Sequence, residues 1–194
     1  MSFPHEFIIF DTEYTANKNS MKRKWKGEHK EIIQIGALKI RKTSTLKIID
    51  RISLFIKPKL YPQLSKYIIK LTGITQKQID KNGVSLREGL KIFYRFCKDK
   101  QGNNLYLFSY GNDYEVIKLN LKIHKTPRNS KFYKWEKYFY DISDFFKDYV
   151  DIHKYSSGEL AKIFKIKYKF KKHNALQDSL SIYHTLKYIL KSGI

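Results

Sequence analysis

Three separate stretches of this 194-residue chain carry side chains of the types and spacing that phosphate chemistry uses. In "FIIFDTEYT" (7–15), β-branched and aromatic residues lead straight into Asp11 and Glu13. Strand side chains alternate, so these two carboxylates share one face about 7 Å apart. Buried together they repel and lose hydration unless a hard cation such as Mg²⁺ or Mn²⁺ takes their oxygens as ligands. A pair on the solvent side of an edge strand has the same spacing, and a D-x-E triplet is common. In "KKHNALQDSLSIYHTLKYIL" (171–190), His173 precedes a helix that carries Asp178. A histidine at a helix entrance near a carboxylate suits a general base working near neutral pH. A lone surface histidine reads the same way. In "LFSYGNDYEVIKL" (107–119), a strand ends at Gly111 and Asp113 opens a helix, a place where ligand-holding residues project from a sheet edge. Asn112 and Asp113 are equally good N-cap residues.

The elements that must position these groups follow from periodicity. "HEFIIFDTE" (5–13), "EIIQIGALKIR" (31–41) and "LKIIDRISLFIKP" (46–58) read as three consecutive strands, hence an antiparallel meander. Helices are expected at 65–73, capped by Ser65 and ended by Gly73, at 75–83, and at 85–100 with Ser85 and Glu88 as a capping box. A fourth strand is expected at 104–111, a helix from 113 to about 121, and a fifth strand at 138–143. Helix signal resumes over 143–150, again after a Ser157 cap in "GELAKIF", and from 175 to 190. The last helix shows Leu176, Leu180, Tyr183, Leu186 and Leu190 as its apolar face. This order predicts one α/β domain with a five-stranded mixed sheet flanked by helices.

Charge narrows the function classes. Thirty-nine basic against 18 acidic residues give a net charge of +21, which favours polyanionic partners, nucleic acid first. Only six of the basic residues are arginine; lysine holds phosphate as a point charge but does not supply the fork that reads guanine edges. Sequence-specific duplex readout is therefore disfavoured. Cys97 is the only cysteine, which excludes an internal disulfide and fits a reducing cytoplasm. No apolar run reaches the roughly 20 residues of a spanning helix, so no membrane partner is expected.

In order and strand context, the D-x-E, the aspartate after the fourth strand and the H-x4-D resemble the DEDDh (DnaQ-like) 3′→5′ exonucleases. "FDTEYT", "EIIQIGALKI", "SKYIIKLTGITQKQID", "FSYGND" and "HNALQDS" are similar to the branch that holds the enhanced-RNAi exonucleases and the sporulation-inhibitor-like proteins. The resemblance spans roughly residues 7–190. It implies a ribonuclease H-like fold and two divalent ions, Mg²⁺ or Mn²⁺, held by Asp11, Glu13, Asp113 and Asp178, with His173 as the base. The products would be nucleoside 5′-monophosphates. Glu115 competes with Asp113 for the middle position, and Asp141 is a fallback ligand. Relatives often pair as homodimers.

Two basic stretches are candidates to hold single-stranded RNA or DNA 3′ ends, with RNA favoured by the branch resemblance. "NKNSMKRKWKGEHK" (17–30) offers Lys22, Arg23, Lys24 and Lys26 to phosphates and Trp25 to a base, or is a solubilising hairpin tip. "KIKYKFKKH" (165–173), if extended, aligns Lys165, Lys167, Lys169 and Lys171 on one face, with Lys172 beside His173. Tyr14 and Thr15, just after the D-x-E, are candidates to contact the terminal nucleotide. The competing readings are a catalytically silent nucleic-acid-binding module of the same fold and a subunit that contacts a polymerase or regulator.

Overall fold

The computed structural model describes residues 3–16, 30–167 and 172–192. Three strands, β1 (Glu6–Tyr14), β2 (Ile32–Lys42) and β3 (Leu46–Phe55), form the expected antiparallel meander. Helices α1 (Lys66–Thr72), α2 (Gln76–Asn82) and α3 (Leu86–Phe96) lead to β4 (Tyr106–Ser109) and α4 (Asp113–Ile123). After α5 (Lys131–Lys134) come β5 (Phe139–Asp141), α6 (Ser143–Phe146), α7 (Leu160–Ile163) and α8 (Ala175–Ser192). The sheet order is β3-β2-β1-β4-β5, with β4 parallel to both of its neighbours. β1 is thus the central strand, and the edge-strand reading of Asp11 and Glu13 fails.

Alternation along β1 sorts its side chains into two cores. Ile8 and Phe10 pack with Leu90 and Phe93 of α3 and with Ile117 and Leu121 of α4. Phe7 and Ile9 face the other way, onto Leu180, Ile182 and Leu186 of α8. Asp11 and Glu13 continue that second face, so the pleat that buries Phe7 and Ile9 also aims both carboxylates at the start of α8.

The close approach of α8 is written in β2. Asp11 pairs across the sheet with Gly36, and Glu13 with Gln34. A Cβ on Gly36 would lie 2.1 Å from the Leu176 backbone N, so only glycine lets α8 sit on the sheet here. Ser179 Oγ donates to the Gly36 carbonyl at 3.0 Å, and Gln34 Oε1 accepts from Ala175 N at 3.0 Å. Gly36→Ala forces backbone against backbone. It is expected to cost about 3 kcal/mol, a Tm loss of roughly 6–12 °C by thermal denaturation; a wild-type Tm would contradict this docking.

Several boundaries differ from expectation. β5 is three residues long and α6 a single turn, because Ser143 N and Gly111 N both donate to Asp141 and bend the chain there. The long third helix stops at Phe96, and Ser85 caps it by accepting from Glu88 N without a return bond; the reciprocal box is Thr75 with Gln78. Ser156, not Ser157, caps the turn before α7, with Glu159 completing its box. Leu180, Tyr183 and Leu186 of the expected α8 face are buried and Leu190 is exposed, while Ser179, Ser181 and Thr185 are buried as well, their hydroxyls bonded to helix or sheet partners. Among the described residues, no helix is long and apolar enough to cross a membrane.

Candidate active site

Four acids from three stretches distant in sequence meet at the C-terminal end of β1. Asp11, Glu13, Asp113 and Asp178 are all buried, between 5% and 8% exposed. Each is placed by a different device. Asp113, the first residue of α4, accepts from Thr12 N at 2.9 Å and from Thr12 Oγ1 at 2.6 Å, tying the helix start to the strand between Asp11 and Glu13. Asp11 Oδ1 accepts from Ser157 Oγ at 3.1 Å. Asp178 Oδ2 accepts from His173 N at 3.2 Å, while Asp178 Oδ1 is buried without a hydrogen-bond partner. Gly158 makes room for that oxygen, since a Cβ there would stand 2.4 Å from it.

His173 completes the group. One ligand-capable atom each from Glu13, His173 and Asp178 lies within 4.8 Å of the others. The histidine adopts a left-handed backbone (φ 58°), a strained conformation for a non-glycine residue that Asp178 helps to hold through the His173 N–H. Asn174 then caps α8, accepting from Gln177 N at 3.3 Å.

The other acids fall outside this group. Glu115 is solvent-exposed and paired with Lys118. Asp141 is exposed and spent on the turn after β5. The structure thus brings Asp113 to the other acids, and leaves out both Glu115 and Asp141.

Packing like charges in a buried site perturbs all four. Burial, followed by the charges of Asp113, Asp178 and Glu13, raises Asp11 well above the usual carboxylate range. Burial first, then the Asp178 carboxylate, lifts Glu13 to about 8. Burial lifts Asp178 to about 7 and Asp113 to about 6, the latter opposed by its Thr12 bonds. Burial and then Lys172 lower His173, which keeps its imidazole neutral and able to accept a proton near pH 7.

These shifts set a sign for stability. A carboxyl raised in the folded state contributes stability below its unfolded value and loses it as pH rises through the folded value. The metal-free protein should therefore lose stability progressively as pH rises from the unfolded carboxyl range, about 4, to about 8, the raised value of Glu13. Thermal scans in EDTA should show a Tm fall of about 5 °C or more across that window, reversed at pH 8.5 by Mn²⁺. A flat profile would contradict the clustered acids.

The expected nucleic-acid contacts fare unevenly. Lys22, Arg23, Lys24, Trp25 and Lys26, and likewise Lys169 and Lys171, lie outside the described residues. Lys165 has a left-handed backbone (φ 51°), so the extended lysine face does not run through it. The N–H groups of Lys165 and Ile166 donate back to Lys162 and Ala161 and wrap the end of α7 instead. Lys172 pairs with Glu159, whose carboxyl it pulls down to about 2, and thereby fastens the His173 segment to the Ser156–Glu159 turn. Tyr14 is half-buried under the Lys30 ammonium, and Thr15 is buried against Glu31.

Thr12, Gln34, Gly36 and Gly158 drew no notice as sequence, and Ser157 read only as a helix cap. Small and neutral residues carry no chemical signature, and their roles exist only once β2, α4 and the turn before α7 are in place. The one local clue was Gly36 inside an otherwise β-branched strand, which marks a close backbone approach.

Known proteins place this arrangement. The family model of the RNase_T exonucleases matches residues 8–186. ERI1 exoribonuclease 3 of Bos taurus is 32% identical over 84 residues, which cover 41% of this chain and 23% of the relative, so the match spans under a quarter of that protein. The nuclease domain of 3′hExo, a DEDDh family member solved with rAMP, superposes with a TM-score of 0.82 at 21% identity over 97% of this chain and 93% of that one. A 3′-exonuclease solved in recognition of the histone mRNA stem-loop gives 0.80 at 19% identity, covering 100% and 84%. Exonuclease I of E. coli with a dA16 oligonucleotide gives 0.68 at 15%, covering 97% and 41%. With its sheet order, its gathered acids and a family match across residues 8–186, this chain belongs to the RNase T exonuclease family and has the fold of the DEDDh nucleases.

Proposed function

We propose that the chain is a divalent-metal-dependent 3′→5′ exonuclease that removes nucleoside 5′-monophosphates from single-stranded 3′ ends, RNA in preference to DNA. The observation that carries this reading is Asp178 Oδ1, a buried carboxylate oxygen without a hydrogen-bond partner, set among three further buried acids. Acids at that density repel strongly, and an all-oxygen donor set fits hard cations such as Mg²⁺ or Mn²⁺. Asp11, Glu13, Asp113 and Asp178 would hold two such ions. When bound, the ions supply Lewis acidity, lowering the pKa of a coordinated water and stabilising charge on the leaving 3′-oxygen.

The chain's own residues do the rest. His173, neutral near pH 7, takes the proton of the attacking water on a ring nitrogen. The water oxygen bonds to the terminal phosphorus as the bond to the upstream 3′-oxygen breaks, so the phosphate leaves on the 5′ side of the released nucleotide. Thr12 and Ser157 hold Asp113 and Asp11 by hydrogen bonds, and Gly158 leaves Asp178 its place. The RNA preference is supported by the ribonucleotide and RNA named with two fold relatives and by the exoribonuclease similarity.

Oligonucleotides labelled at the 5′ end, incubated with Mg²⁺, Mn²⁺ or EDTA, test the reading. A ladder shortening from the 3′ end with either metal, absent in EDTA, is expected. Binding without cleavage in any metal would leave the silent module as the better account.

A further inference from the structure

The loop between β3 and α1 is anchored in an unusual way. Glu31 is wholly buried, yet its carboxylate accepts from three successive backbone N–H groups: Lys59 at 2.6 Å, Leu60 at 2.7 Å and Tyr61 at 2.8 Å. Three charge-assisted bonds offset the cost of burying that carboxylate and give the loop one backbone geometry. Pro58 and Pro62 on either side stiffen it further.

The same glutamate ties the loop to the active site. Glu31 N donates to Thr15 Oγ1 at 3.0 Å, and Thr15 N donates to the Glu31 carbonyl at 2.8 Å, two residues beyond Glu13. Asn120 of α4 clamps the flanks, accepting from Ile32 N and donating to the Lys30 carbonyl. Ser65 Oγ donates to the Ala16 carbonyl at 2.9 Å. The loop therefore has a set position beside the acid cluster, on the Tyr14–Ala16 end of β1.

What this anchoring holds outward is apolar and aromatic. Leu60 is 45% exposed and Tyr61 40%, with Lys57 and Lys59 exposed beside them. Between residues 51 and 79 the chain has six basic residues (Arg51, Lys57, Lys59, Lys66, Lys70 and Lys77) and no acid. Exposed apolar and aromatic side chains on a fixed backbone among exposed lysines match the stacking-plus-phosphate chemistry by which single strands are bound without sequence preference.

We infer that the Lys57–Tyr61 loop is a contact surface for single-stranded nucleic acid upstream of the cleaved end, with Leu60 and Tyr61 against a base and Lys57 and Lys59 on phosphates. The inference rests on the exonuclease reading for its substrate, and extends it to a surface that neither basic stretch of the sequence predicted.

The test compares wild type with Lys57→Glu/Lys59→Glu/Tyr61→Ala on a 12-nucleotide RNA and on a dinucleotide. KM for the 12-mer should rise about tenfold with kcat within twofold, and its rise should exceed that for the dinucleotide at least fivefold. The slope of log affinity against log salt should become shallower by about 1.4, two phosphate contacts' worth on a single strand. Unchanged 12-mer KM and salt slope, with a wild-type Tm, would overturn the inference. If wild type cleaves neither substrate, the exonuclease reading fails on its own. Fluorescence anisotropy of the labelled 12-mer then decides the loop: affinity lost in the variant sustains it, and equal affinity overturns it.

Discussion

Asp11→Asn should abolish cleavage while sparing the fold: single-turnover hydrolysis of a 3′-labelled oligonucleotide is expected to fall at least about 10³-fold. The substitution keeps the side chain's shape and its position opposite Gly36, and an amide oxygen can still accept from Ser157. It removes one unit of negative charge from the centre of the cluster, where the other three acids all raise Asp11. The divalent cations proposed to sit there would lose much of their hold. Affinity for the oligonucleotide should be retained, because removing an acid near a phosphate lowers repulsion. Stability should move opposite to activity. Asp11 is raised in the folded state, so its ionisation opposes folding at pH 8, and the metal-free variant should melt higher than metal-free wild type there. Near-wild-type cleavage would refute the role of Asp11, whereas a lower metal-free Tm would refute the electrostatic account.

Gly158→Ala is expected to lower kcat about 100-fold with little change in Tm. The added methyl meets Asp178 at Oδ1 (2.4 Å) and Cγ (3.1 Å), so the carboxylate has to swing away from Glu13 and His173. Displacement of a catalytic group by about 1 Å costs on that order. The clash is with the end of a side chain, not with backbone, so the fold can absorb it. That separates this glycine from Gly36, whose substitution strikes the α8 backbone and is expected to act on stability first. A Gly158→Ala enzyme with wild-type kcat would show that the Asp178 carboxylate is not needed in this position.

The two glycines also show where reading the residues stops. β1 and its paired carboxylates announced themselves, because two-residue alternation in an apolar strand sets which side chains share a face. The strands of the meander and the start of α8 followed from apolar and β-branched periodicity, and Asp113 at the opening of α4 from the strand break at Gly111. The apolar face of α8 was legible as well, and Leu180, Tyr183 and Leu186 are buried as their spacing predicts, but Ser179, Ser181 and Thr185 beside them look like surface residues until their hydroxyls find partners. Ser157 read as a cap, yet its neighbour Ser156 takes that task and Ser157 is left to bond Asp11. Lys172 read as a phosphate contact, and its pairing with Glu159 thirteen residues away was not visible in the sequence. For Ser179, Ser181 and Ser157 the deciding contact joins segments distant in sequence, to Gly36, Ala161 and Asp11, and local pattern carries no information about it.

The proposed chemistry requires the four acids to enclose divalent ions. Anomalous diffraction from crystals soaked in Mn²⁺ tests this most directly. Manganese peaks are expected among Asp11, Glu13, Asp113 and Asp178, one within coordinating distance of Asp178 Oδ1. Well-ordered carboxylates with no peak between them would contradict it.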